Sequence, residues 1–178
     1  MPNPAPMPAE GKAVVVDSSD ERLWKLIHAI RVAMLTTRGA DGAMRSRPLM
    51  TQNGSLDAAS PVLWFFVSRA SEVAAEAAND ASVNVAYADP DEDRYVSIAG
   101  TAEVMRDRAQ ADALWSAAAK AWFPGGVDDP DLQLLRVQVQ HAEYWDVKES
   151  RMVQLFKMAK AVVTGERPRG MGEHRDVR

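Results

Sequence analysis

The feature that most constrains the fold is a run of apolar residues at 62–67 (VLWFFV) with a helix signal directly behind it. The run is too short to cross a membrane and too bulky for an exposed loop, so it predicts a strand buried on both faces. Ser71 then precedes a segment rich in alanine and glutamate, which predicts a helix with Ser71 as its N-cap. The start of such a helix offers free N–H groups to an anion. The pattern therefore indicates either a phosphate site or a capped helix with nothing bound.

Composition narrows the classes of function. The 178 residues suit one domain with its own core. The chain carries 21 Lys and Arg against 25 Asp and Glu, and this formal net charge of −4 without a dense basic cluster disfavours nucleic acid as a partner. The absence of cysteine excludes disulfides, thiol catalysis and cysteine-bound metals. The dispersed histidines disfavour a histidine-rich metal site, so no metal ligands are predicted.

The composition of the two ends of the sequence predicts the bounds of the folded domain and the cellular compartment of the protein. Residues 1–16 are rich in proline and are expected to form a disordered tail, residues 17–165 the folded domain, and residues 166–178 a loose polar tail. The sequence has neither a long apolar run nor a basic segment followed by an apolar one near its start. We therefore expect a cytoplasmic protein without a membrane anchor.

Periodicity and turn signals predict a mainly β domain with flanking helices, an α+β fold. Strands are predicted at 32–37, 43–52, 62–67, 82–88, 95–105 and within 132–147, and helices at 18–30, from Ser71, from Asp107 through Trp122, and from Ser150 to Gly165. Short turns between strands favour antiparallel pairing, and about six strands suit a small closed or half-closed barrel. The lack of a βαβ rhythm and of a GxGxxG motif excludes a dinucleotide-binding fold.

The second predicted strand carries two arginines on one face. Alternation places Arg45, Arg47 and Leu49 on the same side, and Pro48 requires an edge position or a bulge. Two arginines on one face of a strand must be solvated or paired, and a phosphate group is a partner that suits the guanidinium fork. Exposure to solvent remains the equal alternative.

Aromatic residues mark the ends of two elements. Trp122 stands beside a Phe-Pro-Gly-Gly loop, and Trp145 lies near the end of the last predicted strand. Aromatic rings at such positions can stack on a flat ligand, although they more commonly cap a core or fill an interface.

Six segments in a fixed order carry a resemblance to a known family. They are RSRPLM (45–50), LWFFVS (63–68) with Ser71, YVSIAGTAE (95–103), AKAWFPGG (119–126), AEYWD (142–146) and MVQLF (152–156). Together they resemble the pyridoxamine 5′-phosphate oxidase-like split barrels, specifically their bacterial general stress protein branch. The resemblance covers most of the chain, from about residue 20 to about residue 165.

The resemblance implies a six-stranded antiparallel split β-barrel that forms a homodimer with FMN bound between the subunits. By position, Arg47 and Ser71 match residues that meet the FMN phosphate, Tyr95 falls where oxidases of the family contact the flavin, and Trp145 matches a tryptophan contributed across the dimer. The full set of residues expected at the cofactor is Arg45, Arg47, Pro48, Leu49, Met50, Phe66, Val67, Ser68, Ser71, Tyr95, Trp122 and Trp145.

Two departures from the family pattern limit what the resemblance implies. Val73 stands where many relatives carry a phosphate-binding lysine, and no histidine follows Arg151 where true oxidases hold their substrate. The expected function is therefore that of an FMN-binding general stress protein, a flavin-dependent oxidoreductase that takes electrons from a nicotinamide donor and has an unknown substrate. The alternatives are a non-catalytic flavin carrier or stress sensor, or a barrel that uses a deazaflavin or haem. The sequence assigns no catalytic residue.

Overall fold

The computed structural model of the chain describes residues 18–57, 60–146 and 173–177. The elements, in chain order, are α1 (Ser18–Ile30), β1 (Val32–Arg38), β2 (Met44–Met50), β3 (Val62–Ser68), α2 (Glu72–Asn79), β4 (Ser82–Asp89), β5 (Arg94–Met105), α3 (Arg108–Leu114), β6 (Leu132–Asp146) and β7 (Glu173–Val177). Short 3₁₀ turns at Ala119–Ala121 and Gly126–Asp128 lie between α3 and β6. None of the helices in these ranges combines the length and the apolar character that a membrane crossing requires.

The strands form one antiparallel sheet in the order β2-β1-β4-β5-β6-β3, with β7 added to β6. The sheet curls until its two end strands approach each other, and a single β-bridge between Thr51 and Phe65 joins them. The amide of Gln52 also donates to the carbonyl of Trp64 at 2.8 Å. The predicted six-stranded antiparallel split barrel is confirmed, and Pro48 lies on its edge strand β2, as a residue without an N–H requires.

The interior of the curled sheet is the main core. Inward-facing residues of every strand from β1 to β6 meet there, because alternate positions share a face. Helices α1 and α2 close the core with their apolar sides. Its largest fully buried members are Tyr87, Tyr144, Phe65, Ile27, Leu35, Leu63, Ile98, Leu135, Val85, Val96 and Val137.

A buried polar pair lies inside this core where the barrel closes. The hydroxyl groups of Thr51 and Tyr87 are 2.7 Å apart and both residues are almost fully buried. Burial raises the pKa of the Tyr87 phenol above its ordinary value, so the hydroxyl stays protonated and able to share this hydrogen bond. The pair links β4 to the end of β2, beside the bridge that joins β2 to β3.

A second apolar cluster covers the outside of β3 and β6. Phe66 and Leu134 point away from the barrel and pack against Trp115 and Phe123, with ring centroids of Phe66 and Trp115 5.6 Å apart. The predicted helix through Trp122 is wrong in its extent, since α3 ends at Leu114 and Trp115 is already extended. The spacing of apolar residues favoured a longer helix. In the structure the chain instead leaves the helix at Trp115, whose ring packs on Phe66.

The C-terminal region differs from its prediction where the structure describes it. Residues 166–178 were expected to be a loose tail, but Glu173–Val177 forms β7 and pairs with residues 142–146 of β6. The pairing of β3 with β6 reaches only Gln138, so this stretch of β6 has a free edge that main-chain hydrogen bonds from any segment can cover. The sequence of β7 lacks strand alternation, which is why the pattern did not predict it. The predicted helix from Ser150 to Gly165 lies outside the described residues.

Candidate functional site

The candidate site lies where β2 and β3 separate. Beyond the bridge at Thr51 and Phe65 the two strands do not pair, and continuing its register would set Met50 opposite Phe66 and Pro48 opposite Ser68. Helix α2 follows β3 directly and packs against β1 and β3, while its glutamates bond to β2. We call this opening between β2, the end of β3 and the start of α2 the split.

Arg47 points from β2 into the split because its position alternates onto the inner face, opposite Leu35. Its Nη1 donates to Glu76 Oε2 at 2.7 Å and to Thr37 Oγ1 at 3.0 Å. Its Nη2 donates to Glu72 Oε2 at 2.8 Å and to Glu76 Oε1 at 3.2 Å. Hydrogen bonds to Glu76 and then to Glu72 raise the pKa of the guanidinium. Arg47 is therefore a fixed, always charged group at the start of α2.

Glu76 is held on the other side by β1. Thr37, which is fully buried, donates from Oγ1 to Glu76 Oε2 at 2.6 Å. Hydrogen bonds from Arg47 and then from Thr37 hold the pKa of the Glu76 carboxyl below its ordinary value. The arrangement ties α2 to both β1 and β2 through one carboxylate.

Arg45 bonds mainly to the turn between β1 and β2 and less to the residues of the split. Its guanidinium makes two hydrogen bonds with Asp41, at 2.9 and 2.6 Å, and lies 3.7 Å from Glu76. Hydrogen bonding to Arg45 holds the pKa of the Asp41 carboxyl well below its usual range. Both arginines on the inner face are thus paired with carboxylates of the chain. The sequence allowed this pairing as an alternative to exposure to solvent.

The start of α2 has the geometry expected of a capped helix. Ser71 is extended, with φ −73° and ψ 146°, and its Oγ accepts from the amide of Ala74 at 3.2 Å. The same hydroxyl donates to the carbonyl of Ser68 at 2.7 Å. The amides of Glu72 and Val73 precede the first carbonyl-bonded turn and have no carbonyl within the helix to bond. Val73 itself is buried in the core, so its side chain faces away from this end.

The outer face of β1 and β2 is apolar and exposed. Alternation turns Pro48 and Met50 outward, beside Val32 and Met34 of β1. Tyr95 lies on the same face of the sheet, directly opposite Trp145 in the register of β5 and β6, and Trp145 is half-buried. We call the exposed members of this face the outer apolar patch: Val32, Met34, Met44, Met50 and Tyr95, with relative exposures from 37% to 53%.

The structure therefore separates the predicted site residues into groups. Arg47 bonds Glu72, the residue that follows Ser71 at the start of α2, and Ser68 is bonded to Ser71 there. Pro48, Met50, Tyr95 and Trp145 share the outer face.

The other predicted residues lie elsewhere. Val67 and Leu49 pack with the core inside the barrel, and Phe66 packs outside it. Trp122 is 83% exposed in the segment that covers Phe66, so within one chain the structure does not bring it to the others.

Sequence reasoning did not single out Thr37, Glu72 and Glu76. The two glutamates stand four residues apart on a helix, which places them on one face. Two same-face arginines on a strand and two same-face carboxylates on the next helix form a complementary pattern. That pattern was visible in the sequence, but only the folded structure shows that the arginines and the glutamates are in contact.

Three comparisons with known proteins bear on this site. Residues 18–169 match the family described as pyridoxamine 5′-phosphate oxidase like. A curated relative, protein bli-3 of Neurospora crassa, is 24% identical over 165 residues, which are 86% of this chain and 77% of that protein.

Solved structures share the fold. A candidate general stress protein 26 of Jannaschia sp. CCS1 superposes with a TM-score of 0.68 at 29% identity, over 88% of this chain and 96% of that one. The general stress FMN/FAD binding protein of Xanthomonas citri gives a TM-score of 0.63 at 31% identity, over 74% of this chain and 90% of that one.

Proposed function

Because this chain belongs to the pyridoxamine 5′-phosphate oxidase-like family, among its general stress proteins, we propose that it binds FMN in the split and works as a flavin-dependent oxidoreductase. The observation that carries the proposal is the hydrogen bond of Arg47 to Glu72, the first residue of α2. The relative from Xanthomonas citri, described as FMN/FAD binding, supports a flavin as the ligand.

The residues at the start of α2 fit a phosphate monoester. Arg47 presents Nη2 at the start of α2, where a phosphate oxygen could replace the exposed Glu72 carboxylate as the partner of this charged donor. Hydrogen-bond donors are added by the amides of Glu72 and Val73, which have no carbonyl partner within the helix. The positive end of the helix dipole also attracts the negative charge of a phosphate. Ser71 keeps its own hydroxyl in the cap, so it would contribute by orienting these amides.

The strand edge and the outer face fit a flat ring. Apart from the bridge at Thr51, no described strand pairs with the edge of β2 that faces away from β1, so its backbone groups could bond the edge of a heterocycle. When bound, the isoalloxazine of FMN supplies the electron transfer. Pro48 and Met50 then line the ring and exclude water from one side. Leu49 and Val67 lie behind this strand edge, in the core of the barrel.

We propose further that the working unit is a homodimer. The outer apolar patch exposes several large apolar side chains on one face of the sheet, as interfaces do, and it lies beside the split. A two-fold contact would cover the patch and bring Tyr95, Trp122 or Trp145 of one subunit to the flavin of the other. FMN would then bind in a cleft shared by both chains.

A non-catalytic flavin carrier or stress sensor is the second candidate. One observation favours it: Glu76, the less exposed of the two glutamates at the split, is committed to an ion pair with Arg47. A carboxylate held as an ion-pair partner is poorly placed to move a proton. The two functions share the cofactor and differ in whether the bound flavin turns over.

One experiment tests both the identity of the bound cofactor and whether it turns over. The purified protein is expected to be yellow or to take up added FMN, and mass spectrometry of the released ligand should identify FMN. Release of FAD, haem or a deazaflavin, or failure to bind any flavin, would overturn the assignment. Bleaching of the bound flavin by NADH or NADPH and its return with an added acceptor would identify an oxidoreductase, whereas a flavin that no nicotinamide reduces would favour the carrier.

A further inference from the structure

The two glutamates that hold Arg47 are not equivalent. The Glu76 side chain is 12% exposed and is bonded both by Arg47 and by the buried Thr37. The Glu72 side chain is 80% exposed, and its contact is with Arg47 Nη2 at 2.8 Å. Glu76 therefore positions the guanidinium, while Glu72 bonds it from the solvent side and can leave at small cost.

Glu72 also stands at the first position of α2. A carboxylate there interacts favourably with the helix dipole, as any anion at this end would. It thus combines the two attractions that the proposed site offers to a phosphate, the Arg47 fork and the start of the helix. A carboxylate and a phosphate monoester use the same donors, so one must move before the other can bind.

Two positions that could supply an offsetting cation do not supply one here. Val73, the next residue of α2, is buried in the core, and Arg45 is committed to Asp41. A phosphate that enters the split must therefore take Arg47 Nη2 from Glu72 and then tolerate its displaced negative charge nearby.

We propose that Glu72 occupies the phosphate position in the free protein and so sets how tightly the chain binds phosphate-bearing flavins. This inference rests on the proposed FMN site. It makes Glu72 a specificity residue: the cost of displacing Glu72 falls on FMN and not on riboflavin, which carries the same ring without the phosphate. Affinity for the ring alone should be indifferent to the charge at position 72.

The test compares FMN and riboflavin on Glu72→Gln by quenching of flavin fluorescence, at constant pH and ionic strength. The dissociation constant for FMN should fall about three- to tenfold, because a competing ion pair and a repelling charge are both removed. The constant for riboflavin should stay within about twofold. Glu72→Lys should tighten FMN further, since it replaces the repelling charge with an attracting one.

Glu103→Gln is the matched control. Glu103 is also exposed and paired with an arginine, Arg136, at 3.7 Å, but it lies on β5. It should leave both constants unchanged. Equal tightening of FMN and riboflavin by Glu72→Gln, or no tightening of FMN, would overturn this inference while leaving the FMN site standing. A chain in which no variant binds either flavin would instead overturn the proposed function, and the inference with it.

Discussion

Arg47 owes its direction to alternation along β2 and its fixed geometry to groups on two other elements. Thr37 of β1 and Glu76 of α2 bond the same Nη1, so the guanidinium cannot rotate away without breaking both contacts. A charged group that is already ordered loses little conformational freedom when it binds a ligand. Arg47 is therefore the residue on which phosphate recognition should depend most.

Replacing Arg47 with alanine should weaken FMN binding by about 1.5–3 kcal/mol, roughly 10- to 150-fold, because a charged hydrogen-bond donor to the phosphate is lost. Riboflavin binding should change much less. Fluorescence titration of both flavins measures the two effects on one preparation.

Arg108→Ala serves as the control for this substitution. Arg108 forms a comparable two-point ion pair with Asp128, at 2.6 and 3.1 Å, on the segment outside β3 and β6. Its loss should leave the affinity for FMN as it was. If Arg47→Ala bound FMN as tightly as the unmodified protein does, the phosphate would have to lie elsewhere.

Helix α2 is the element that joins the core to the site. It has only eight residues, so it cannot be stable by propensity alone and depends on its cap and on the burial of Val73, Ala74 and Ala77. Its first turn supplies the free amides of the split. The hydrogen bond that the Ala74 amide donates to Ser71 Oγ therefore supports both stability and the proposed phosphate site.

Ser71→Ala should lower the free energy of unfolding by about 1 kcal/mol, the usual cost of removing a helix N-cap. It should also weaken FMN binding, because the first turn loses the group that fixes its direction. Urea unfolding and flavin titration measure the two effects.

Asp107→Ala separates the two roles of a cap. Asp107 caps α3 with a similar bond, from the amide of Gln110 at 2.9 Å, and α3 lies outside the split. It should lower stability by a similar amount and leave the affinity for FMN unchanged. Equal losses of FMN affinity in both variants would mean that Ser71 acts through general stability alone.

At the scale of the whole molecule, the described residues leave two surfaces uncovered. One is the outer apolar patch, and the other is the edge of β2 beyond Thr51. Exposed apolar area and unpaired strand edges both favour association, and here they adjoin. The proposed dimer would cover both surfaces with one two-fold contact.

Met34→Asp should weaken this dimer by about 2–4 kcal/mol, roughly 30- to 1,000-fold in its dissociation constant, because it places an unpaired charge in an apolar interface. FMN binding should weaken with it if the cleft is shared. Analytical ultracentrifugation with and without FMN measures both, and FMN should raise the melting temperature of the unmodified dimer.

Ala113→Asp is the corresponding control, since Ala113 is exposed on α3 and outside the patch. It should leave the dimer intact. A monomeric Met34→Asp protein that still binds one FMN per chain with full affinity would contradict the shared site, though not the split barrel.

The sequence alone determined the strands from β1 to β6, the cap of α2 and the face that Arg47 shares with Arg45 and Leu49. These follow from local rules: alternation with a period of two, the N-cap preference of serine, and the turn signals between runs. The split barrel that the resemblance implied is confirmed, and the edge position of Pro48 is one of the two outcomes, an edge or a bulge, that the sequence allowed. The predicted roles of Arg47 and Ser71 at a phosphate remain predictions.

Only the tertiary structure decided which groups meet. Helix α3 ends where Trp115 packs on Phe66, and β7 forms along a free edge of β6. Neither contact produces a periodic pattern in the sequence. The partners of Arg47 were hidden for a similar reason, since Glu76 lies 29 residues away along the chain. Charge pairing across such a separation depends on how the sheet curls and where α2 packs, and these are properties of the whole fold.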